Sequence, residues 1–172
     1  MATKAKIDTF ANVAAIRVEE SSASTQTTFK FAFPFSIMDK MALIISRIEY
    51  WFSNPEVLVG AGDIVYMGLT AAATLTTISS QSDPLLIDSI SFKYMAMGTP
   101  ATAKILTQPY IKDFSNIPGG GFLVAPSPLY ALVQASSTAT AAAGWIKMFY
   151  TYTELSTDEY WQLVESRRII SG

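Results

Sequence analysis

The chain has 172 residues, a formal net charge of −2 and an isoelectric point near 5.1, and it contains neither cysteine nor histidine. This length suits one domain with a full hydrophobic core, so we expect residues 1–172 to form a single domain. The missing residue types exclude disulfides, cysteine nucleophiles, Ser-His-Asp triads and histidine-ligated metal ions.

Charged residues make up only 15% of the chain, and hydrophobic residues make up 50%, where a typical soluble domain has about 25% charged residues. No apolar run approaches the ~18 residues that would span a bilayer. A surface this poor in charge predicts that neighbouring subunits cover part of it. The sequence has no positive residue between Arg47 and Lys93 and no basic N-terminal arm, so we expect no direct nucleic-acid binding.

In the first third of the chain, side-chain alternation predicts strands. Residues 11–19 fit either a short strand or part of an extended N-terminal arm over residues 1–27. Phenylalanine then recurs at every second position from Phe29 to Phe35, which predicts a strand with one strongly apolar face that ends or lies at a sheet edge near Pro34. Residues 41–52 could form a helix after Asp39 or a strand, and their β-branched and aromatic content favours the strand.

Shorter strands separated by turn residues are predicted through the middle of the chain. They cover residues 64–69, 85–97, a weaker stretch at 103–111, a short extended piece from Phe122, and residues 129–135. Asn54-Pro55, Gly98-Thr99-Pro100 and the three glycines at 119–121 supply the turns. The spacing of the turns fits the long crossings of a jelly roll better than a meander of tight hairpins.

The clearest strand runs from Gly144 to Glu154, where aromatic and β-branched residues occupy both alternating sets, as in a strand inside a sheet. Ser156 and Glu159 then have the spacing of a capping box and predict a C-terminal helix. These elements predict an all-β fold: a single jelly-roll β-sandwich of about eight antiparallel strands with a C-terminal α-helix. On that helix we expect the subunit-interface residues to be Trp161, Ile169 and Ile170.

No motif points to a reaction. The acidic residues Glu49, Asp88, Glu154 and Asp158 could in principle supply the two carboxylates of a glycoside hydrolase. We interpret them as solvated surface groups. We expect no enzyme, no catalytic residue, no metal site and no cofactor.

Aromatic residues are the side chains of this sequence best suited to bind a ligand or another subunit. Trp51, Trp145 and Trp161, with eight tyrosines, could stack on sugars or fill subunit contacts. Their position on a subunit contact or in an open groove would separate these alternatives.

Two segments carry a resemblance to a known family: the Pro/Gly-rich crossing FSNIPGGGFLVAPSPLY and the final strand and helix TYTELSTDEYWQLVESRR. The whole chain resembles the single jelly-roll capsid proteins of icosahedral viruses. It is most similar to the small major capsid proteins of tailless double-stranded DNA viruses of bacteria and archaea that contain an internal membrane.

The resemblance implies a structural virion protein that self-assembles as a homo-oligomer into an icosahedral capsid shell, in the host cytoplasm. A second capsid protein or an underlying membrane would be its neighbour. The alternative is a carbohydrate-binding β-sandwich module, lectin-like or receptor-binding, because of the aromatic residues and the Ser/Thr-rich loops.

Overall fold

The structure is a computed structural model that describes residues 11–33, 40–60, 62–73, 78, 85–93, 109–125 and 129–170. Within these ranges the strands are β1 (Asn12–Glu19), β2 (Thr27–Lys30), β3 (Met41–Phe52), β4 (Ile64–Thr70), β5 (Leu86–Lys93), β6 (Tyr110–Asp113), β7 (Phe122–Val124), β8 (Tyr130–Ser136) and β9 (Ala143–Glu154). A single 3-10 turn (Pro55–Val57) follows β3, and the helix α1 (Thr157–Ile170) follows β9. No helix in the described ranges has the length and apolar content needed to cross a bilayer.

The strands form two antiparallel sheets. Sheet A has the order β1-β9-β3-β6, with β7 also paired to β3, and sheet B has the order β2-β8-β4-β5. Strands β6 and β7 pair with successive stretches of β3, at residues 47–50 and 43–45. They therefore act as one interrupted strand at the same edge of sheet A.

The pairings are nested along the chain. The first strand pairs with the last, β2 pairs with β8, β3 pairs with β6 and β7, and β4 pairs with β5. A long hairpin rolled so that successive pairs fall in opposite sheets is a jelly roll. The predicted single jelly-roll β-sandwich with a C-terminal helix is confirmed.

Residues 11–19 and 41–52, which the sequence left open, are strands. β1 pairs with β9 over eight positions, and residues 1–10 of the predicted arm lie outside the described residues. The weaker strand predicted at 103–111 is described only from residue 109 onward, where β6 begins at Tyr110.

The predicted phenylalanine strand is shorter than expected, because β2 ends at Lys30. The amide of Phe31 still donates to the carbonyl of Leu129 at 2.9 Å, and Phe31 is buried. Phe33 stacks on Phe31 with ring centroids 6.0 Å apart and meets the Tyr150 ring edge-on at 5.7 Å. The two rings therefore pack in the core beyond the end of β2, while Pro34 and Phe35 lie outside the described residues.

The hydrophobic core lies between the two sheets. Its inward-facing side chains come mainly from the central strands: Leu43, Ile45, Ile48 and Tyr50 of β3, Val65, Met67 and Leu69 of β4, Ala131, Val133 and Ala135 of β8, and Ile146, Met148 and Tyr150 of β9. This alternation of buried and outward positions is the one that an antiparallel sandwich requires.

A polar contact joins the sheets inside this core. The hydroxyl of Tyr50 donates to Asp88 at 2.6 Å, and Lys112 Nζ donates to the other Asp88 oxygen at 2.6 Å and to the Ser89 carbonyl at 2.7 Å. Burial and the adjacent Asp88 carboxylate raise the pKa of the Tyr50 hydroxyl well above its ordinary value, so it remains a donor. The interpretation of Asp88 as a solvated surface group is therefore wrong, since its side chain is only 11% exposed and bridges the sheets.

The capping box at the start of α1 is confirmed. The amide of Ser156 donates to Glu159 Oε2 at 2.9 Å, and the amide of Glu159 donates to Ser156 Oγ at 3.3 Å. Hydrogen bonds from Ser156 lower the pKa of the Glu159 carboxyl, which keeps it ionised at the helix N-terminus. Lys40 Nζ donates to Thr157 Oγ1 at 2.7 Å, and the Leu155 amide donates to the Lys40 carbonyl at 3.0 Å, so the helix start is attached to the start of β3.

A buried carboxylate ties the end of β1 to the last two strands. Glu20 is 3% exposed, and its oxygens accept hydrogen bonds from the amides of Ala135 at 2.6 Å and Ala142 at 2.8 Å. Its own amide donates to the Ala142 carbonyl at 2.9 Å. Charge-assisted bonds to backbone amides are among the stronger hydrogen bonds in proteins, so Glu20 fixes the connection between β8 and β9.

We predict that Glu20→Ala lowers the free energy of unfolding by about 2–4 kcal/mol, because two buried amides lose their acceptors. The neighbouring Glu19→Ala is the matched control: Glu19 is exposed and pairs only with Arg17 at the surface, so its loss should cost no more than about 0.5 kcal/mol. Urea denaturation of the two variants measures both values. Equal losses would contradict the role of Glu20.

Candidate functional site

Large exposed hydrophobic side chains concentrate on sheet A. In the part of the chain that the structure describes they are Val13, Trp51, Val59, Tyr110, Ile111, Phe122, Leu123, Trp145 and Trp161. Seven of these nine belong to strands of sheet A and none to sheet B. The other two, Val59 and Trp161, lie in a loop and in α1.

Strand register places five of the seven on the outer face of sheet A: Val13, Trp51, Ile111, Leu123 and Trp145. Because Ile48 and Tyr50 of β3 are buried in the core, Glu49 and Trp51 between and beyond them point outward. Tyr110 is opposite Tyr50 and has the inward parity, at the sheet edge; the same holds for Phe122, opposite Ile45.

Three rows of residues define the central part of this outer face. Across β1, β9, β3 and β6 they are Arg17, Trp145 and Trp51; then Ala15, Lys147, Glu49 and Ile111; then Val13, Phe149, Arg47 and Asp113.

The two tryptophans form a groove at one end of the face. Trp51 and Trp145 are directly opposite each other on neighbouring strands, a position in which cross-strand side chains lie about 5 Å apart at Cβ. They are 41% and 45% exposed. The groove has a volume of about 520 Å³ and is lined by Ala15, Trp51, Phe52, Ser53, Trp145 and Lys147. Its lining is thus mostly apolar.

A compact ion cluster lies beside the groove. Glu49 is 7% exposed and forms an ion pair with Arg47, and Lys147 Nζ is 4.0 Å from its other carboxylate oxygen. Both cations lie over the Phe149 ring, at 5.2 Å for Arg47 and 4.8 Å for Lys147, within the range of cation–π attraction. The interpretation of Glu49 as a solvated carboxylate is therefore wrong.

The remaining charges on the face are balanced as well. Arg17 pairs with Glu19 at 2.8 Å, and Asp113 is opposite Arg47. Hydrogen bonds from the Ser115 hydroxyl and amide, and to a smaller extent the charge of Arg47, lower the pKa of the Asp113 carboxyl. Three cations and three carboxylates thus cancel, and the face has no net charge to attract phosphates.

Part of the outer face of sheet B, around Leu132, is covered by the chain itself. Ile78, from the connection between β4 and β5, is 1% exposed and packs with Leu132 of β8, and Tyr66, Leu85 and Leu86 pack against this pair. Within the described ranges the central part of the outer face of sheet A has no comparable cover, as the exposure of Trp51 and Trp145 shows. At the other end of this face, the paired residues Ala42 and Thr153 are buried. The outer faces of the two sheets therefore differ in how much apolar surface they expose to solvent.

The residues predicted to contact another subunit lie on α1, outside the three rows of this face. Trp161 is 52% exposed and meets the Tyr160 ring edge-on at 6.1 Å. Ile169 and Ile170 belong to α1, but their side chains lie outside the described residues. Contact of this helix with another subunit stays a prediction.

Neither a protein family model nor a curated protein matches the sequence. Among solved structures, the chain is similar to a chain from "The Structure of Tomato Aspermy Virus by X-Ray Crystallography", with 10% identity and a TM-score of 0.48, covering 87% of this chain and 81% of that chain. A likeness this distant carries no functional conclusion, and the jelly-roll assignment rests on the strand order.

We predict that Glu49→Ala lowers the free energy of unfolding by about 1–3 kcal/mol, because Arg47 and Lys147 lose the carboxylate that neutralises them. Most of this loss should come from Arg47, because its Nε is already buried without a hydrogen-bond partner. Glu154→Ala removes an exposed carboxylate from the end of β9 and should change the stability by less than about 0.5 kcal/mol. Guanidinium denaturation compares them, and a Glu49→Ala protein as stable as Glu154→Ala would contradict the cluster.

Proposed function

We propose that this protein is a structural virion protein that self-assembles into an icosahedral capsid shell. The observation that carries the proposal is the one-sided surface: within the described ranges, large exposed apolar side chains occur on the strands of sheet A and none occur on sheet B. A concentration of exposed apolar side chains on one sheet is typical of a protein interface. The low charged fraction, 15%, has the same explanation, because surface that is buried between subunits needs few ionised groups.

The fold is compatible with this role without deciding it. Jelly rolls serve as viral capsid domains and also as lectin domains, so function has to be argued from the surface. In our proposal the shell belongs to a tailless, internal-membrane-containing virus of bacteria or archaea and is assembled in the host cytoplasm.

The charge balance supports a shell that does not hold the genome directly. The net charge of the chain is −2, which favours a second capsid protein or an underlying membrane as the neighbouring layer over nucleic acid. In the assembled shell, Trp161 and the Ile169-Ile170 end of α1 would provide a further subunit contact.

A carbohydrate-binding module, lectin-like or receptor-binding, is the second candidate. The groove between Trp51 and Trp145 is the observation that favours it, because indole rings offer flat apolar surface with a polar tip. Against it, the groove contributes only Ser53 and Lys147 as polar side chains, and a sugar site needs several converging polar groups.

We predict that the purified protein forms concentration-dependent oligomers and closed particles, which multi-angle light scattering and electron microscopy would detect. Assembly should persist at high salt, because burial of apolar surface drives it. A protein that stays monomeric at every concentration and salt tested would contradict the proposal. A monomer that binds a neutral glycan on an array would favour the second candidate instead.

A further inference from the structure

We infer that the outer face of sheet A is covered by the same face of a second copy of this chain, related by a two-fold axis. Trp51 and Trp145 anchor the contact. This inference rests on the proposed function and names the surface and the partner through which the shell protein first associates.

Charge is the first reason to choose a second copy. The rows of the face carry Arg17, Arg47 and Lys147 against Glu49 and Asp113, and the adjacent Glu19 pairs with Arg17, so the nearest pairs form within or beside the face. A partner with net charge would find no counter-charge, and burying it would cost desolvation without a compensating pair. A second copy of the face is itself neutral, and a two-fold contact uses one patch on both subunits.

Area is the second reason. Strands β1, β9 and β3 at a spacing of ~4.8 Å cover about 14 Å across the sheet, and the eight paired positions of β1 and β9 at ~3.3 Å cover about 26 Å along it. The four positions of β6 add about 5 Å by 13 Å. Two such faces together bury roughly 900 Å², which is close to the ~1,000 Å² expected of a biological interface. A sugar or a single side chain would leave most of this surface exposed.

The composition of the face is the third reason. Trp and Arg are enriched in interface cores and dominate their binding energy, and here Trp51, Trp145 and Arg47 share one face. The apolar surface also continues beyond the groove to Val13 and Ile111, which are 51% and 46% exposed. Lys147, the only cation in the groove lining, lies between Glu49 and the Phe149 ring. Its ammonium group is therefore directed at residues of the face itself and not at a ligand in the groove.

The test is Ala15→Arg, matched with Val59→Arg. Ala15 is exposed on the edge strand β1, in the groove and opposite Lys147, so arginine there adds bulk and an unpaired charge that Lys147 cannot neutralise. Val59 is 65% exposed in a loop off the face and receives the same charge. We expect Ala15→Arg to raise the dimer dissociation constant at least about 30-fold, as burying an unpaired charge predicts, and Val59→Arg to change it by less than about threefold.

Sedimentation velocity gives the association constants, and circular dichroism checks that both variants are folded. In a Trp161→Phe background that sedimentation shows to associate like the unmodified chain, the tryptophan emission should shift to the blue as concentration rises, because Trp51 and Trp145 leave water. This second measurement does not depend on Ala15→Arg folding.

Distinct outcomes separate this inference from the proposed function. If the unmodified chain assembles, but Ala15→Arg assembles equally well or the emission does not shift, the inference is wrong and the shell proposal stands. If the unmodified chain never assembles, both are wrong. Binding of the monomer to neutral phosphatidylcholine vesicles or to a glycan through the tryptophans would also overturn the inference, since a different partner would then cover the face.

Discussion

The insertion of β9 between β1 and β3 is the constraint on which the rest of the structure depends. β9 pairs with eight residues of β1 and eleven of β3. Gly144 permits this close approach, because a Cβ there would collide with the Trp51 carbonyl and the Met67 side chain. The inward residues of β9 complete the core and its outward residues form the middle of the exposed face. Both therefore depend on long-range pairing between the two ends of the chain.

That single pairing links the low charge of the chain to its proposed role. The side chains on one face of a central strand must fit the core. Those on its other face must fit the outward side chains of the two neighbouring strands. On the outer side Lys147 and Phe149 meet Glu49 and Arg47, so the charges neutralise each other and leave a surface without net charge beside the exposed tryptophans. Exposed indole rings are costly in water and favourable in a subunit contact, which is why we propose that assembly uses this sheet.

Local sequence patterns predicted most of the strands and the helix. They could not predict contacts between residues that are distant in sequence. Alternation located β3 and β9, and the spacing of Ser156 and Glu159 predicted the start of α1. The burial of Asp88 could not be predicted, because its partners Tyr50 and Lys112 lie on other strands. Glu49 has Arg47 two residues away on its own strand, but its burial also depends on Lys147 and Phe149 of β9, which no local pattern indicates. The three tryptophans were recognised as candidates, but the pairing of Trp51 with Trp145 needs the β3–β9 register, and the cover of sheet B by Ile78 has no local signal.

The most direct test of the central claim, that the bare face of sheet A exists to be buried by another copy, is a cryo-electron microscopy reconstruction of the assembled protein at side-chain resolution. We predict a map in which the Trp51 and Trp145 rings of two copies are enclosed between facing five-stranded sheets related by a two-fold axis. A map in which this face points to solvent, while the copies touch only through sheet B or their loops, would contradict the account.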